Sequence, residues 1–289
     1  MPKKITYYTT LLSAISLPAK TPVKRYWQRT NGRDTLIIKA GEAPLIENNK
    51  IVRDRFGEPI PEELKLPSGI IPRHIFCFLS YEWTLKKNKT FMLGNSFHDF
   101  LKKMNKSSGG KQYQIMKDQI RRLFYCSIGA LKETDRGFKQ KIPSPIIDNI
   151  KVFWSDMDDQ EESILPSSIT ISDYLADILC RSLPLNHETI QSIGKNVLAY
   201  DLYCWLNYRH YSLSDKFTIS YEALHQQFGS DYKQLRDFKS RLQKAFNLIS
   251  DSYIHNSKIT ENGILLVPSK TDINPKIISS AKLNKLLNK

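Results

Sequence analysis

The chain has 289 residues, 40% of them hydrophobic, and a formal net charge of +14 from 43 Lys+Arg against 29 Asp+Glu. That surplus favours a polyanionic partner, although charge alone does not choose a fold. No apolar run reaches the ~18 residues of a membrane span, no N-terminal run reads as a secretion signal, and none of the four cysteines forms a C-x-x-C pair, so a cytoplasmic chain with buried free thiols is expected.

Residues 1–70 read as a partly ordered N-terminal extension, with one strand at 35–40 (TLIIKA) and prolines around it at 18, 22, 44, 59, 61 and 67. Order is expected from Pro72, a good first helical residue because its missing N–H costs nothing there. Ile75, Phe76, Leu79 and Trp83 then recur at helical spacing over 73–86. FMLG (91–94) reads as a short strand, and Asn95 or Ser96 as the cap of a helix over 97–104. A small-residue turn at 107–110 leads into a helix over 111–125, with Met116, Ile120, Leu123 and Phe124 on its buried stripe. Gln114, Lys117, Asp118 and Arg121 face the other way, with Arg122 at the flank. Two strands, 127–133 and 137–142, turn at Asp135-Arg136-Gly137 and read as a hairpin wing decorated by Lys132, Arg136, Lys139 and Lys141.

The acidic run DMDDQEE (156–162) reads as a solvated linker. Close carboxylates can bind Mg²⁺, but no His or second carboxylate cluster completes a site. After the strand SSITIS and a helix over 173–181, the same order returns. Helices are expected at 186–193 and 195–211, the latter apolar nearly all round and bearing Trp205. FTIS is the strand, 221–228 the short helix and 229–231 the turn. The last long helix carries Leu235, Phe238, Leu242, Ala245, Phe246 and Ile249 as its core stripe, and a hairpin turning at Glu261-Asn262-Gly263 is the second wing.

The fold expected is therefore α+β, mainly helical: two tandem winged helix-turn-helix domains with β-hairpin wings. Their bounds are 71–171 and 172–270, followed by a basic C-terminal tail over 271–289. Charge is uneven. Residues 72–142 hold 15 basic against 5 acidic side chains, and residues 143–183 hold 2 against 8. Expected DNA contacts in the first unit are Lys106, Ser107, Ser108, Lys111, Gln112, Gln114, Lys117, Arg121, Arg122, Lys132, Lys139 and Lys141. In the second they are Lys233, Gln234, Arg236, Lys239, Ser240, Arg241, Lys244 and Lys258. A basic helix face is usually only a solvated face. Here it recurs at the same structural place in both copies, and arginine matches guanine and glutamine adenine by hydrogen-bond geometry.

Gly109-Gly110-Lys111 is not a nucleotide-binding loop, since Asn105 and Gln112 stand where that motif needs Gly and Ser or Thr. The six scattered histidines form no H-x-H pair beside a tyrosine, and no nucleophile–base arrangement appears. No enzyme activity, metal or cofactor is expected.

At these residues the chain resembles the plasmid-encoded RepA family of replication initiators. The matching words are IPRHIF (71–76), SSGGK and DQIRRLF (107–124), SSITIS (167–172), AYDLYCWLNYR (199–209), YEALHQQFG (221–229), LRDFKSRL (235–242) and GILLVPS (263–269), in the family's order. The resemblance implies binding to repeated double-stranded sequences at a plasmid origin, opening of an adjacent A·T-rich segment, and recruitment of the host initiator DnaA and the DnaB helicase. It also implies a homodimer that represses its own gene and a monomer that initiates. A double winged-helix transcriptional regulator is the alternative from the residues alone.

Overall fold

The computed structural model describes residues 5–47, 50–104, 111–151, 167–229 and 232–274. The fold is mixed α/β, with 40% of the described residues in helix and 32% in strand, so the helical bias expected from periodicity is slight. Much of the extra strand lies in the first seventy residues. Strand β1 (Ile5–Thr9) runs into a one-turn helix α1 (Thr10–Ala14), which Thr9 caps by accepting the Leu11 N–H at 3.2 Å. A hairpin follows, β2 (Tyr26–Asn31) and β3 (Asp34–Lys39), then the short strands β4 (Glu42–Pro44), β5 (Ile46–Glu47), β6 (Lys50–Ile51) and β7 (Pro61–Glu63).

This region is not the loosely packed extension that its prolines suggest. Tyr8, Leu12, Ile15, Leu17, Leu36, Ile38 and Leu66 are buried in the main core, and β1 pairs antiparallel with a strand almost two hundred residues later in the chain. Pro18 and Pro22 fall in the connection between α1 and β2, where they interrupt no ladder.

Helix α2 (Ile70–Lys86) starts after Gly69, whose φ of 77° suits glycine, and buries nearly every side of its first three turns. Strand β8 (Thr90–Gly94) and helix α3 (Phe97–Lys103) follow, with Ser96 as the cap, accepting the Asp99 N–H at 3.1 Å. The turn expected at 107–110, with Ser107 and Ser108, lies outside the described residues, as does Lys106. Helix α4 (Lys111–Phe124) buries Met116, Ile120, Leu123 and Phe124 as expected. Strands β9 (Ser127–Thr134) and β10 (Gly137–Pro145) form the anticipated hairpin. They join the N-terminal hairpin in one sheet, in the order β10-β9-β3-β2.

The strand that pairs with β8 comes later. Strands β11 (Ile147–Lys151) and β12 (Ser167–Ile171) are antiparallel partners, and β12 lies against β8 in the order β11-β12-β8. The acidic run 156–162 lies outside the described residues. The strands on either side of it in the chain, β11 and β12, pair with each other.

Helix α5 (Asp173–Cys180), strand β13 (Ser182–Asn186, the partner of β1) and helix α6 (His187–Ile193) lead to the second copy. Helix α7 (Val197–Ser212) is buried nearly all round. Strand β14 (Phe217–Ser220), helix α8 (Tyr221–Phe228), helix α9 (Leu235–Ser250) and the hairpin β15 (Lys258–Thr260) and β16 (Gly263–Leu266) complete it, with sheet order β14-β16-β15. Gly263 has φ 144°, and a Cβ there would collide with the Ile219 carbonyl oxygen, so the tight approach of β16 to β14 requires glycine.

One topological unit thus occurs twice: helix, strand, short helix, long helix, then a hairpin whose last strand pairs with the first. In the first copy the hairpin that fills this place is β11–β12, not the expected β9–β10. The opening helices also match, Ile75-Phe76-Cys77-Phe78-Leu79 in α2 against Leu202-Tyr203-Cys204-Trp205-Leu206 in α7. A continuous apolar cluster runs through the N-terminal segment and both units. The four cysteines are free thiols; Cys77, Cys126 and Cys204 are buried as expected, whereas Cys180 is exposed.

Candidate nucleic-acid interface

The second unit builds its surface on α9. Phe238, Leu242, Ala245, Phe246 and Ile249 face the core. On the other side Lys233, Gln234, Arg236, Ser240, Arg241 and Lys244 are exposed. Lys239 is half-buried, its ammonium 4.3 Å from the centre of the Tyr221 ring on α8, a cation–π contact that steers it along the helix face. Among the described residues no salt bridge holds Lys233, Arg236, Arg241 or Lys244. The α8–α9 connection is tight. Gly229 has His225 and Phe238 where a Cβ would sit, and His225 Nε2 lies 3.0 Å from the Tyr232 carbonyl oxygen. The Tyr221 hydroxyl donates to the Thr260 carbonyl at 2.9 Å, locking α8 to β15, the strand that bears exposed Lys258. The Glu222 carboxyl at the start of α8 is held below the usual carboxylate range, chiefly by a backbone N–H, then by the Ser220 hydroxyl, with Lys239 adding to both.

The first unit uses its charges differently. Arg121, expected to face outward, donates to Glu62 at 2.5 Å and to the Pro44 carbonyl at 2.6 Å. Arg122 pairs with Asp118 at 2.9 Å and reaches the Thr21 hydroxyl at 3.3 Å. Gln119 is buried and accepts the Ser68 N–H at 2.8 Å. The last turns of α4 are therefore packed against the N-terminal segment. Nothing local in the sequence marks this contact, because the prolines of that segment suggest loose packing. Gln114 and Ile115 remain exposed nearer the start of α4. Lys117 lies 4.7 Å from the Tyr113 ring centre and 5.7 Å from that of Phe97. Lys111 and Gln112 belong to α4, but their side chains lie outside the described residues.

The β9–β10 hairpin carries Lys132, Lys139 and Lys141, all exposed. Lys132 is 3.9 Å from Asp34, Lys141 lies over the Tyr174 ring at 5.1 Å, and Arg33 pairs with Asp135 at 2.6 Å. The expected set is thus gathered on α9 and divided on the first unit between helix, hairpin and internal pairs. One functional candidate was missed altogether. Arg73, fully buried, forms an ion pair with Asp201 across the two units. Its signal in the sequence is an arginine standing inside an otherwise apolar helix run.

Among the described residues no helix is long and apolar enough to cross a membrane. A family model described as "Plasmid encoded RepA protein" matches residues 80–224, half of the chain. The chain belongs to the plasmid-encoded RepA family. The match runs from within α2 into α8, so it takes in most of the first unit and the start of the second. Among solved structures, this RepA-family chain is similar to a selenomethionine crystal structure of domain 2 and domain 3 of RctB. They share 13% sequence identity with a TM-score of 0.51, over 83% of this chain and 85% of that one. A second crystal structure, of RctB domains 2-3, has 11% identity and a TM-score of 0.48, over 89% and 94% of the two chains. At such identities the likeness concerns the fold. No curated protein matches the sequence.

Proposed function

We propose that this RepA-family chain is a plasmid replication initiator that grips repeated double-stranded DNA at its plasmid's origin through two winged-helix units. Family membership supports the initiator role. The observation that carries DNA binding is α9, a long helix with one face in the core and, on the other, three exposed basic side chains, Arg236, Arg241 and Lys244, that no described carboxylate pairs, with exposed Lys233 just before its start. In the winged-helix reading α9 enters the major groove, Lys233, Arg236 and Lys239 reach base edges, and the β15–β16 wing with Lys258 holds phosphate. The first unit presents the N-terminal half of α4, with Gln112, Gln114 and Lys117, and the basic β9–β10 hairpin. Arg121 and Arg122 serve to hold the N-terminal segment.

Several bound copies bend and open the neighbouring A·T-rich DNA without catalysis, and the assembly recruits DnaA and DnaB. A monomer–dimer switch separates initiation from repression of its own gene. DNA flanking the coding region is the test substrate. With about 6–10 phosphate contacts, affinity falls by about 10³–10⁵ between 50 and 200 mM salt. A binding constant that barely moves over that range sinks the DNA reading. Binding without origin-dependent replication of a test plasmid would instead leave a transcriptional regulator.

A further inference from the structure

The opening helices of the two units touch through a few side chains, and the contact is ionic where its surroundings are apolar. Arg73 on α2 and Asp201 on α7 are both buried. The guanidinium donates from Nε to one carboxylate oxygen of Asp201 and from Nη2 to the other, each at 2.6 Å. It also donates to three backbone carbonyls, of Leu17 at 2.7 Å, Pro18 at 3.2 Å and Gly69 at 2.5 Å. One side chain therefore ties together α2, α7 and the segment that follows α1. Beside it, Cys77 Sγ lies 2.8 Å from the Tyr200 hydroxyl, and His74 and Tyr8 meet the Tyr200 ring edge-on at 5.8 and 5.6 Å.

A buried ion pair is a poor source of net stability, because desolvating two charges offsets their attraction. It is a good source of geometry. An apolar helix contact can slide and repack, whereas a two-bond fork is satisfied at one angle and one register. Helix α2 packs on α4, and α7 packs on α9. Strand β1, which packs on α2 and pairs with β13, and helix α1, which packs on α7, also join the two sides, and the Arg73–Asp201 fork is the ionic link that fastens α2 to α7 directly. We propose that this pair is a positioning device: it sets the distance and rotation between the two units, and so restricts one molecule to a single spacing between the two DNA blocks it contacts. The inference rests on the DNA-binding reading above. One inserted base pair turns the blocks by about 35° relative to each other and parts them by about 3.4 Å, a mismatch that rigidly joined units cannot follow.

The test begins with a duplex selected by the wild-type chain from a randomised library. Its two protected blocks are mapped, and one or two base pairs are inserted between them. The full chain is compared with Asp201→Asn, with Arg73→Lys, and with an Arg73→Met, Asp201→Leu double variant. The double variant replaces the ion pair with apolar side chains, a change that buried pairs often tolerate. Folding is checked by circular dichroism and thermal unfolding. The wild type is expected to lose at least about tenfold in affinity per inserted base pair, the scale of one disrupted base contact. Folded variants are expected to lose less than about threefold on the same scale. A folded variant that keeps the wild-type spacing profile overturns the proposal. If the double variant does not fold, Arg73→Lys decides, since it keeps the charge and loses the fork. A wild type that protects a single block, or shows no spacing optimum, overturns the two-unit DNA reading itself.

Discussion

Arg121 and Arg236 sit on the long helices of the two units and serve different ends. Arg236 is exposed and no described carboxylate pairs with it, so Arg236→Ala is expected to leave thermal unfolding unchanged. DNA binding should weaken by about 1–3 kcal/mol, with relaxed preference at one base position if it reads a base edge. Arg121 holds Glu62 and the Pro44 carbonyl in a half-exposed setting. Arg121→Ala should therefore cost about 0.5–1 kcal/mol of stability, discounted for solvent screening, and leave base preference intact. Glu62→Gln should cost a similar amount, and the double variant less than the sum, because both remove one contact. Selective loss of one base preference in Arg121→Ala would return that side chain to the DNA surface. His210 sets a pH dependence. Its ring nitrogens lie 2.7 Å from the Tyr253 hydroxyl and 2.8 Å from the Ser257 hydroxyl. Burial, with His255 adding to it, pushes its pKa down to about 4. The neutral ring is the native form, whereas in the unfolded chain it takes a proton near pH 6.5. Its contribution is thus complete above about pH 6.5 and is lost as pH falls toward 4, by up to about 3 kcal/mol. Urea unfolding at pH 7.5 and 4.5 should show the loss, and His210→Gln should flatten it.

At the level of elements, the faces of α9 and α4 divide the labour between free charge and internal pairing. Arg241→Ala and Lys244→Ala on α9 should weaken binding on all sequences, each lowering the salt slope by about one if it contacts phosphate. An unchanged slope would mean that this face points away from DNA. The hairpins carry a second expectation. In the second unit the hairpin after the long helix is β15–β16, and its counterpart in the first is β11–β12, whose connecting sequence is rich in aspartate and glutamate. Carboxylates close to DNA repel phosphate, so replacing Asp156, Asp158 and Asp159 together by Asn is expected to raise affinity for random duplex by a few-fold at low salt. No change would place that connection away from the DNA, as a mere solvated loop.

For the whole molecule the decisive fact is the continuity of the core. Tyr8, Leu12, Leu36 and Ile38 come from the first forty residues and pack with both units. Each fully buried aliphatic or aromatic side chain contributes about 1.5–3 kcal/mol. A fragment of residues 72–180 would lose these side chains and would also expose Arg73 and Cys77 of α2, which face α7. That fragment is expected to show no cooperative thermal transition, whereas the full chain melts as a unit. A sharp transition in the fragment would show that the first unit folds alone and that the N-terminal layer is dispensable.

The order of elements was legible in the sequence, because periodicity and caps are local. The helix over 111–124 and that over 235–250 are marked by apolar stripes at helical spacing. Their short partner helices are marked by Ser96 and Ser220, and the second hairpin by Asn262-Gly263. The basic face of α9 was legible for the same reason, since helical spacing decides which side chains share a side. Family membership was legible in the order of short words from residue 71 onward. Strand partners were not. Nothing local tells β9 to pair with β3, or β12 with β8, because a ladder is chosen by backbone groups that every residue carries and by which apolar faces remain to be covered. The fate of Arg121 and Arg73 followed from those choices. Both are arginines on helices in the sequence, and only the packing of the N-terminal layer and of α2 against α7 turned one toward Glu62 and enclosed the other against Asp201.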